Sequence, residues 1–223
     1  MISKGRTFSY YTVEMSSAIN TVNIANVEEY EKDREELLTL LRTFRIPTIT
    51  KNRINKDTGE IIIKEREHII GRIGRTCNFG LTRSRRTGYC NSRHCLKRPD
   101  VYKKIFDFGK HVCPVGMDVT SVTLNLGVKA KKHIDSFNVG DSVIVGIGNY
   151  TNGKLRVYSS DSDYVSHDIL NKPLMFNGSV FPHETEDFEG ERYTIIYYSM
   201  RPKNREWTVD YPISGTAIVS TIQ

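Results

Sequence analysis

The chain has no run of about 18 apolar residues, the length a membrane-spanning helix needs. Its first residues, MISKGRTFSYYTVEM, lack the apolar core of a secretion signal. Cysteine is scarce. Cys77, Cys90, Cys95 and Cys113 are the four in 223 residues, too few to staple a chain of this size into a disulfide framework. Nor do they spell out a zinc site: Cys90, His94 and Cys95, with Cys77 nearby, contain no C-x-x-C pair, so reduced thiols are expected. Internal repeats and low-complexity tracts are also missing. The expectation is an intracellular chain, cytoplasmic or nuclear, with no membrane partner.

What is present is a globular composition, 38% hydrophobic and 26% charged. Lys and Arg number 32 against 26 Asp and Glu, for a formal charge of +6 and a pI near 9.1, a balance that suits an anionic partner. The length fits one substantial core, read as a single domain over 1–223. Helices and basic substrate-side loops are expected over 1–116, and a β-core over 117–223. Residues 26–45 predict an amphipathic helix capped by Asn26, with Val27, Tyr30, Leu37, Leu41 and Phe44 at helical spacing and Pro47 beyond its end. A turn at Asp57-Thr58-Gly59 feeds a short apolar strand. Over 64–104, twelve Lys and Arg stand against Glu65, Glu67 and Asp100 in Gly-, Ser-, Thr- and Asn-rich sequence that reads as loops around an entrance. A second helix follows Pro99. From 117 onward, DVTSVTLNL, DSVIVGIG, KLRVY, ERYTIIYYSM and TAIVST are β-branched or aromatic runs between turn residues, the pattern of an all-β barrel or sandwich.

Chemistry enters at His133-Ile134-Asp135. On a strand, positions i and i+2 share a face, so both side chains can reach one metal ion. His183, in FNGSVFPHETEDFEG, can bring a second imidazole from a neighbouring strand, giving the two-His, one-carboxylate set of non-haem Fe(II) oxygenases. An H-x-D spacing alone reads more readily as a surface His–Asp pair than as a metal site. Arg192 lies nine residues after His183, where its guanidinium can take a carboxylate in bidentate fashion, and Thr194 on the same strand face can add a hydroxyl.

The stretches LNLGVKAKKHIDSFNVGDSVIVGIGNYTNGKLRVY and HDILNKPLMFNGSVFPHETEDFEGERYTIIYY carry the ordered set H-x-D, N-x-G-[DE]-S, G-x-Y-x-x-G-x-L, PL-x-FNG, H and G-x-RY. In this set the chain resembles the TET/JBP family of Fe(II)/2-oxoglutarate dioxygenases, which oxidise the methyl group of thymine or 5-methylcytosine, together with their viral and algal relatives. The likeness is strongest over roughly 117–200 and continues more weakly through GRTCNFG and KRPDVYKKIFDFGKHV. The resemblance implies a mainly β fold with flanking helices and a double-stranded β-helix (jelly-roll) core. It implies that His133, Asp135 and His183 ligate Fe(II), that Arg192 binds the C5 carboxylate of 2-oxoglutarate, and that Asn125 lines the cosubstrate pocket. The implied reaction converts 2-oxoglutarate and dioxygen to succinate while hydroxylating a C–H bond. Relatives read GDYTGGEL where this chain has GNYTNGKL, placing Asn149 and Lys154 where they carry acids.

The leading expectation is hydroxylation of a pyrimidine methyl group in nucleic acid, DNA ahead of RNA, with Arg75, Asn78 and Phe79 of GRTCNFG as candidate substrate contacts. A base acted on at its methyl group has to be flipped out or already unpaired. The alternatives are a hydroxylase of protein side chains or small metabolites on the same fold, and a catalytically silent nucleic-acid-binding protein. His167 and Asp168, side by side, point to opposite faces of a strand. His68, His94 and His111 have no partner at useful spacing and read as structural or surface residues.

Overall fold

A computed structural model of the chain describes residues 19–47, 53–54, 61–62, 66–67, 74–84, 88–200, 211 and 213–221. In chain order the elements are β1 (Asn20–Asn23), α1 (Val27–Thr43), β2 (Arg53–Ile54), β3 (Ile61–Ile62), β4 (Arg66–Glu67), β5 (Arg75–Ser84), β6 (Gly88–Asn91), α2 (Arg93–Lys97) and α3 (Pro99–Val112). They continue as β7 (Ser121–Leu126), β8 (Lys129–Ala130), β9 (Val139–Asn152), β10 (Leu155–Tyr158), β11 (Tyr164–His167), β12 (Leu174–Phe176), β13 (His183–Thr185), β14 (Phe188–Ser199) and β15 (Ile218–Thr221).

Eight strands form one sheet in the order β15-β1-β12-β9-β14-β7-β5-β6, and β11-β10-β13 form a second. The winding follows from the chain order. β7, β9, β12 and β14 lie in the large sheet, while the segments between them, through His133, β10–β11 and β13, lie in the small one. His133 joins the small sheet at its β13 edge by an antiparallel bridge to His183, each backbone N–H donating to the other residue's carbonyl at 3.0 and 2.9 Å. The chain thus crosses repeatedly between two antiparallel sheets, as a double-stranded β-helix does, with β1 and β15 added to one end of the large sheet and β5 and β6 to the other.

Both faces of the large sheet are covered. On β9, Val143, Val145 and Ile147 turn toward the helices. With Val122, Leu124, Tyr193, Ile195 and Tyr197 they bury Leu37 and Leu41 of α1 and Val101, Ile105 and Phe108 of α3. The alternate residues face the barrel, where Ile144, Leu155, Val157, Ile169, Leu174 and Phe176 make a second, smaller core. In α1, Asn26 caps as expected, its Oδ1 accepting from Glu29 N–H at 3.1 Å. Val27 instead stands 58% exposed, and the buried stripe runs through Tyr30, Leu37, Leu38 and Leu41. α3 starts at Pro99, whose missing N–H costs nothing in the first turn.

The basic stretch departs most from its reading as loops. Its described part holds the ten-residue strand β5, the β5–β6 hairpin, and α2 running into α3. β5 alternates Cys77 and Phe79 toward the helices with Thr76 and Asn78 toward the barrel. Its inward face is polar, so the alternation was masked as loop-like composition. The turn at 57–59 lies outside the described residues, flanked by β2 and β3, which pair antiparallel. Among the described residues, no helix is long and apolar enough to cross a membrane.

Candidate active site

The structure brings His133, Asp135 and His183 together, with one ligand-capable atom from each within 4.8 Å of the others. His133 Nε2 is 3.8 Å from Asp135 Oδ1, and His183 Nε2 is 3.7 Å from Asp135 Oδ2. Backbone pairing sets this convergence. The His133–His183 bridge brings the two imidazoles to 4.4 Å between centroids, tilted by 52°, and Asp135 N–H donates to Gly178 O at 2.8 Å. Each ring turns its other nitrogen to a main-chain carbonyl: His133 Nδ1–H donates to Lys131 O at 2.7 Å and His183 Nδ1–H to Phe181 O at 3.0 Å. That fixes the tautomer and aims both Nε2 lone pairs into the cluster, the arrangement a metal-ligating imidazole requires. Burial lowers the His183 pKa, and His133 adds to this against the pull of Asp135. Asn138 Nδ2 steadies the carboxylate, donating to Asp135 Oδ2 at 3.4 Å. Gly178 leaves room beside the cluster; a Cβ there would stand 3.2 Å from Asp135 Oδ2 and 3.4 Å from His183 Cε1. His183 is buried while His133 and Asp135 remain partly exposed, so one side of the cluster is open. This donor set and its open side fit a divalent ion of the non-haem iron kind.

The second polar centre inside the barrel is Arg192, only 2% exposed. β14 turns Arg192, Thr194 and Ile196 to the barrel side, and Ile196 packs on the inner core. The guanidinium lies 5.4 Å from the Tyr150 ring centre and 5.0 Å from that of Phe188. Its Nη2 donates to Gly153 O at 3.0 Å, its Nη1 is 3.5 Å from Val128 O, and its Nε has no partner. Among the described residues no carboxylate neutralises it, and burial drives its pKa down. A cation left in this condition is costly to keep without a partner of opposite charge. The backbone is shaped around it: at Gly153, with φ +67°, a Cβ would meet Phe188 Cβ at 2.7 Å and Arg192 Nε at 2.9 Å. Thr194 and Asn125 sit opposite each other on β14 and β7, with Asn125 Nδ2 donating to Thr194 Oγ1 at 3.3 Å. Thr76 of β5 extends the row, donating to Asn125 Oδ1 at 2.6 Å.

Of the candidate substrate contacts on β5, the structure separates the three. Phe79 is a correction: it is 0% exposed, stacked on Tyr102 at 6.1 Å in the helix-side core, because its strand position faces away from the barrel. Asn78 faces inward and accepts from Thr123 Oγ1 at 3.0 Å, and Arg75 is exposed. His111, expected to lack a partner, hydrogen-bonds Asp33 of α1 at 2.8 Å, a contact made by helix packing across 78 positions. With Glu29 these two also have ligand spacing, but Lys104 and Lys110 already pair with the carboxylates. His94 meets Ser92 Oγ at 3.2 Å, and His68 lies outside the described residues. Asp168 binds Leu170 N–H and Lys172, apart from His167. Cys95 Sγ accepts from Gly80 N–H, and burial pushes the Cys77 thiol up to about 12. Asn149 and Lys154 are both exposed at the barrel rim. Tyr150 and Gly153 belong to the G-x-Y-x-x-G-x-L motif, which by itself assigns them no role of their own. The signal was there in Gly146, Gly148 and Tyr150, which share one face of β9 and leave space for the Tyr150 ring to fold back over Gly146.

No protein-family model matches the chain, and no curated protein does. Solved structures do. A prolyl-4-hydroxylase from Pseudomonas putida matches at 11% identity over 83% of this chain and 94% of that one, with a TM-score of 0.48. A Trichoplax adhaerens prolyl hydroxylase, solved with a hypoxia-inducible-factor peptide, matches at 15% identity over 82% and 84%, TM-score 0.44. NgTET1, solved with 5mC DNA, matches at 12% identity over 79% and 69%, TM-score 0.49.

Proposed function

We propose that this chain is an Fe(II)/2-oxoglutarate-dependent dioxygenase that hydroxylates the methyl group of a pyrimidine base in nucleic acid, DNA ahead of RNA. The observation that carries the reading is Arg192, a buried guanidinium with no anion beside it, in the same barrel as an open cluster of two histidines and an aspartate. His133, Asp135 and His183 would hold the iron. Arg192 would take the distal carboxylate of 2-oxoglutarate, with Thr194 and Asn125 adding polar contacts from the neighbouring row. When bound, Fe(II) and 2-oxoglutarate supply the oxidation, in which the cosubstrate is decarboxylated to succinate and one atom of dioxygen enters a substrate C–H bond.

The chain's own groups do the rest. The Lys131 and Phe181 carbonyls hold the two imidazole tautomers, and Asn138 orients the carboxylate. The Tyr150 and Phe188 rings keep water from the guanidinium, so a carboxylate meets an undiluted charge. The methyl-pyrimidine assignment is supported by the motifs shared with the TET/JBP family and by the basic stretch, whose Arg75 and Arg83 are exposed. Incubation with methylated DNA or RNA, Fe(II) and 2-oxoglutarate, followed by nucleoside composition analysis, tests it. Hydroxymethyl product is expected with the native chain and not with Asp135→Ala. Succinate production without any modified nucleoside on thymine, 5-methylcytosine or their RNA counterparts would leave the oxygenase and remove this substrate class.

A further inference from the structure

Close along the chain to the His133–Asp135–His183 cluster stand apolar side chains that the fold does not bury. Ile134, between two of the clustered residues, is 47% exposed, Phe137 is 54% exposed, and Val180, in the loop after Gly178, is 46% exposed. Phe137 sits on the turn closed by Asn138 N–H donating to Asp135 O at 3.0 Å, the same turn whose Asn138 side chain reaches the Asp135 carboxylate. Its backbone is therefore held in register with the cluster. Over the Phe137 ring, 4.5 Å from its centre, lies the guanidinium of Arg83, carried in from the β5–β6 hairpin at one end of the large sheet. Arg83 is exposed, and among the described residues it makes no ion pair. An exposed stack of this kind contributes little to folding. A half-exposed ring with a cation over one face can instead offer its other surface to an unpaired base and the cation to the adjoining phosphate.

We propose that Phe137 and Arg83 form the platform that holds an unpaired nucleobase over the His133–Asp135–His183 cluster, the ring stacking on the base and the guanidinium meeting the neighbouring phosphate. This rests on the base-hydroxylase reading and names the form of its substrate: single-stranded nucleic acid, or a base displaced from its pair. A base inside a duplex presents only its edges and cannot lie on such a ring. The platform is apolar where the base lies and cationic to one side, so contact is tolerant of base identity and sensitive to salt.

The test is binding by fluorescence anisotropy, using the full chain loaded with Mn(II) and 2-oxoglutarate. Two labelled oligonucleotides are compared, one with a single base between abasic positions and one wholly abasic. The native chain is expected to favour the base-bearing strand by roughly five- to a hundred-fold, the range of one base–aromatic stack. Phe137→Ala is expected to bind both strands equally, and Phe137→Tyr to restore the preference. Arg83→Ala is expected to weaken both strands alike and to reduce the slope of log affinity against log salt by about one. The Phe137 ring is exposed, so its variants should keep the native melting temperature with Mn(II), which separates lost stacking from lost folding. A preference that survives in Phe137→Ala overturns the platform and leaves the base-hydroxylase reading standing. If the native chain binds neither strand at low salt yet still forms succinate, the platform and the nucleic-acid part of that reading fall together. Binding of peptides in place of both strands would assign these residues to a protein substrate and overturn the platform as well.

Discussion

Replacing Arg192 with methionine keeps most of the side chain's volume and removes its charge, which separates a receptor for an anion from a structural cation. In the structure the guanidinium is buried, one main-chain hydrogen bond of 3.0 Å and a longer one of 3.5 Å engage it, and its Nε is left unpartnered. Even complete buried ion pairs are often replaced by apolar side chains of similar volume at no cost or with a gain of up to about 4 kcal/mol, and an uncompensated charge has less to lose. Without cosubstrate, Arg192→Met should therefore melt at or above the native temperature. At about 2–4 °C per kcal/mol for a chain of this length, the upper end of that range is a gain of about 8–16 °C. The cosubstrate response should move the other way. Losing one partner of a desolvated charge pair costs about 2–5 kcal/mol, or roughly 30- to several-thousand-fold in affinity. At a 2-oxoglutarate concentration 100 times the native dissociation constant, the Mn(II)-loaded native chain gains about 2.7 kcal/mol of stability. The variant should gain about 0.9 kcal/mol or less. Thermal unfolding with and without 2-oxoglutarate measures both arms. A variant that melts well below the native chain, yet keeps the full 2-oxoglutarate shift, would mean that the Gly153 and Val128 carbonyls satisfy Arg192 and that no anion site exists there.

Asp135→Ala and His183→Ala should each abolish Mn(II)-dependent stabilisation while leaving the metal-free melt within about 1 kcal/mol of native or higher, since each removes a polar group from a crowded cluster. Calorimetric titration with Mn(II) checks this, and full-affinity binding by either variant would refute the ligand assignment. Gly153→Ala should destabilise by about 1 kcal/mol or more, from its positive φ and from the contacts its Cβ would make with Phe188 and Arg192. It should also weaken the 2-oxoglutarate response; a denaturant melt and the same thermal shift read the two effects. Asp33 governs the acid side of the stability profile. Burial pushes its carboxyl pKa up, but hydrogen bonds from His111, Lys104 and Lys110 outweigh that and hold it below the ordinary range. A depressed carboxylate stabilises above its unfolded pKa, near 3.9, and loses that contribution as pH falls toward its folded value. Asp33→Asn should therefore be less stable than native at pH 7, with the gap closing below about pH 4. Urea melts at pH 7 and pH 3 decide it, and a gap that stays constant would count against the α1–α3 ion pairs.

How much could be read from the sequence followed the physics of each face. α1 and α3 were legible because Asn26 and Pro99 mark their starts and one side of each helix is apolar. The strands from β7 onward were legible because runs such as VIVGI and YTIIYY are buried on both faces and so carry apolar residues at consecutive positions. β5 was not, and neither were the contacts of Phe79. On that strand the inward face is Thr76 and Asn78, hydrogen-bonded to Asn125 and Thr123 across the sheet. A strand polar on its barrel side and edged by arginines has the composition of a loop. The His111–Asp33 contact was equally hidden, since it exists only once α1 and α3 pack together.

The polar rows that hid β5 also explain how the candidate site is built. A barrel packed only with apolar side chains has no place for a carboxylate-bearing cosubstrate. Here the large sheet gives its helix side to the main core. Its barrel side divides between an apolar patch around Ile144 and Phe176 and a polar row of Thr76, Asn125 and Thr194, with Arg192 on the same face of β14. Phe176 meets His183 edge-on at 5.0 Å, so the apolar patch supports the metal-ligand side. Under the proposed function, the polar row and Arg192 would supply the anion side. The helices can carry most of the folding stability because they pack on the opposite face. That leaves the barrel free to hold an unneutralised guanidinium and an open cluster of ligands, both of which an interior core would have to exclude.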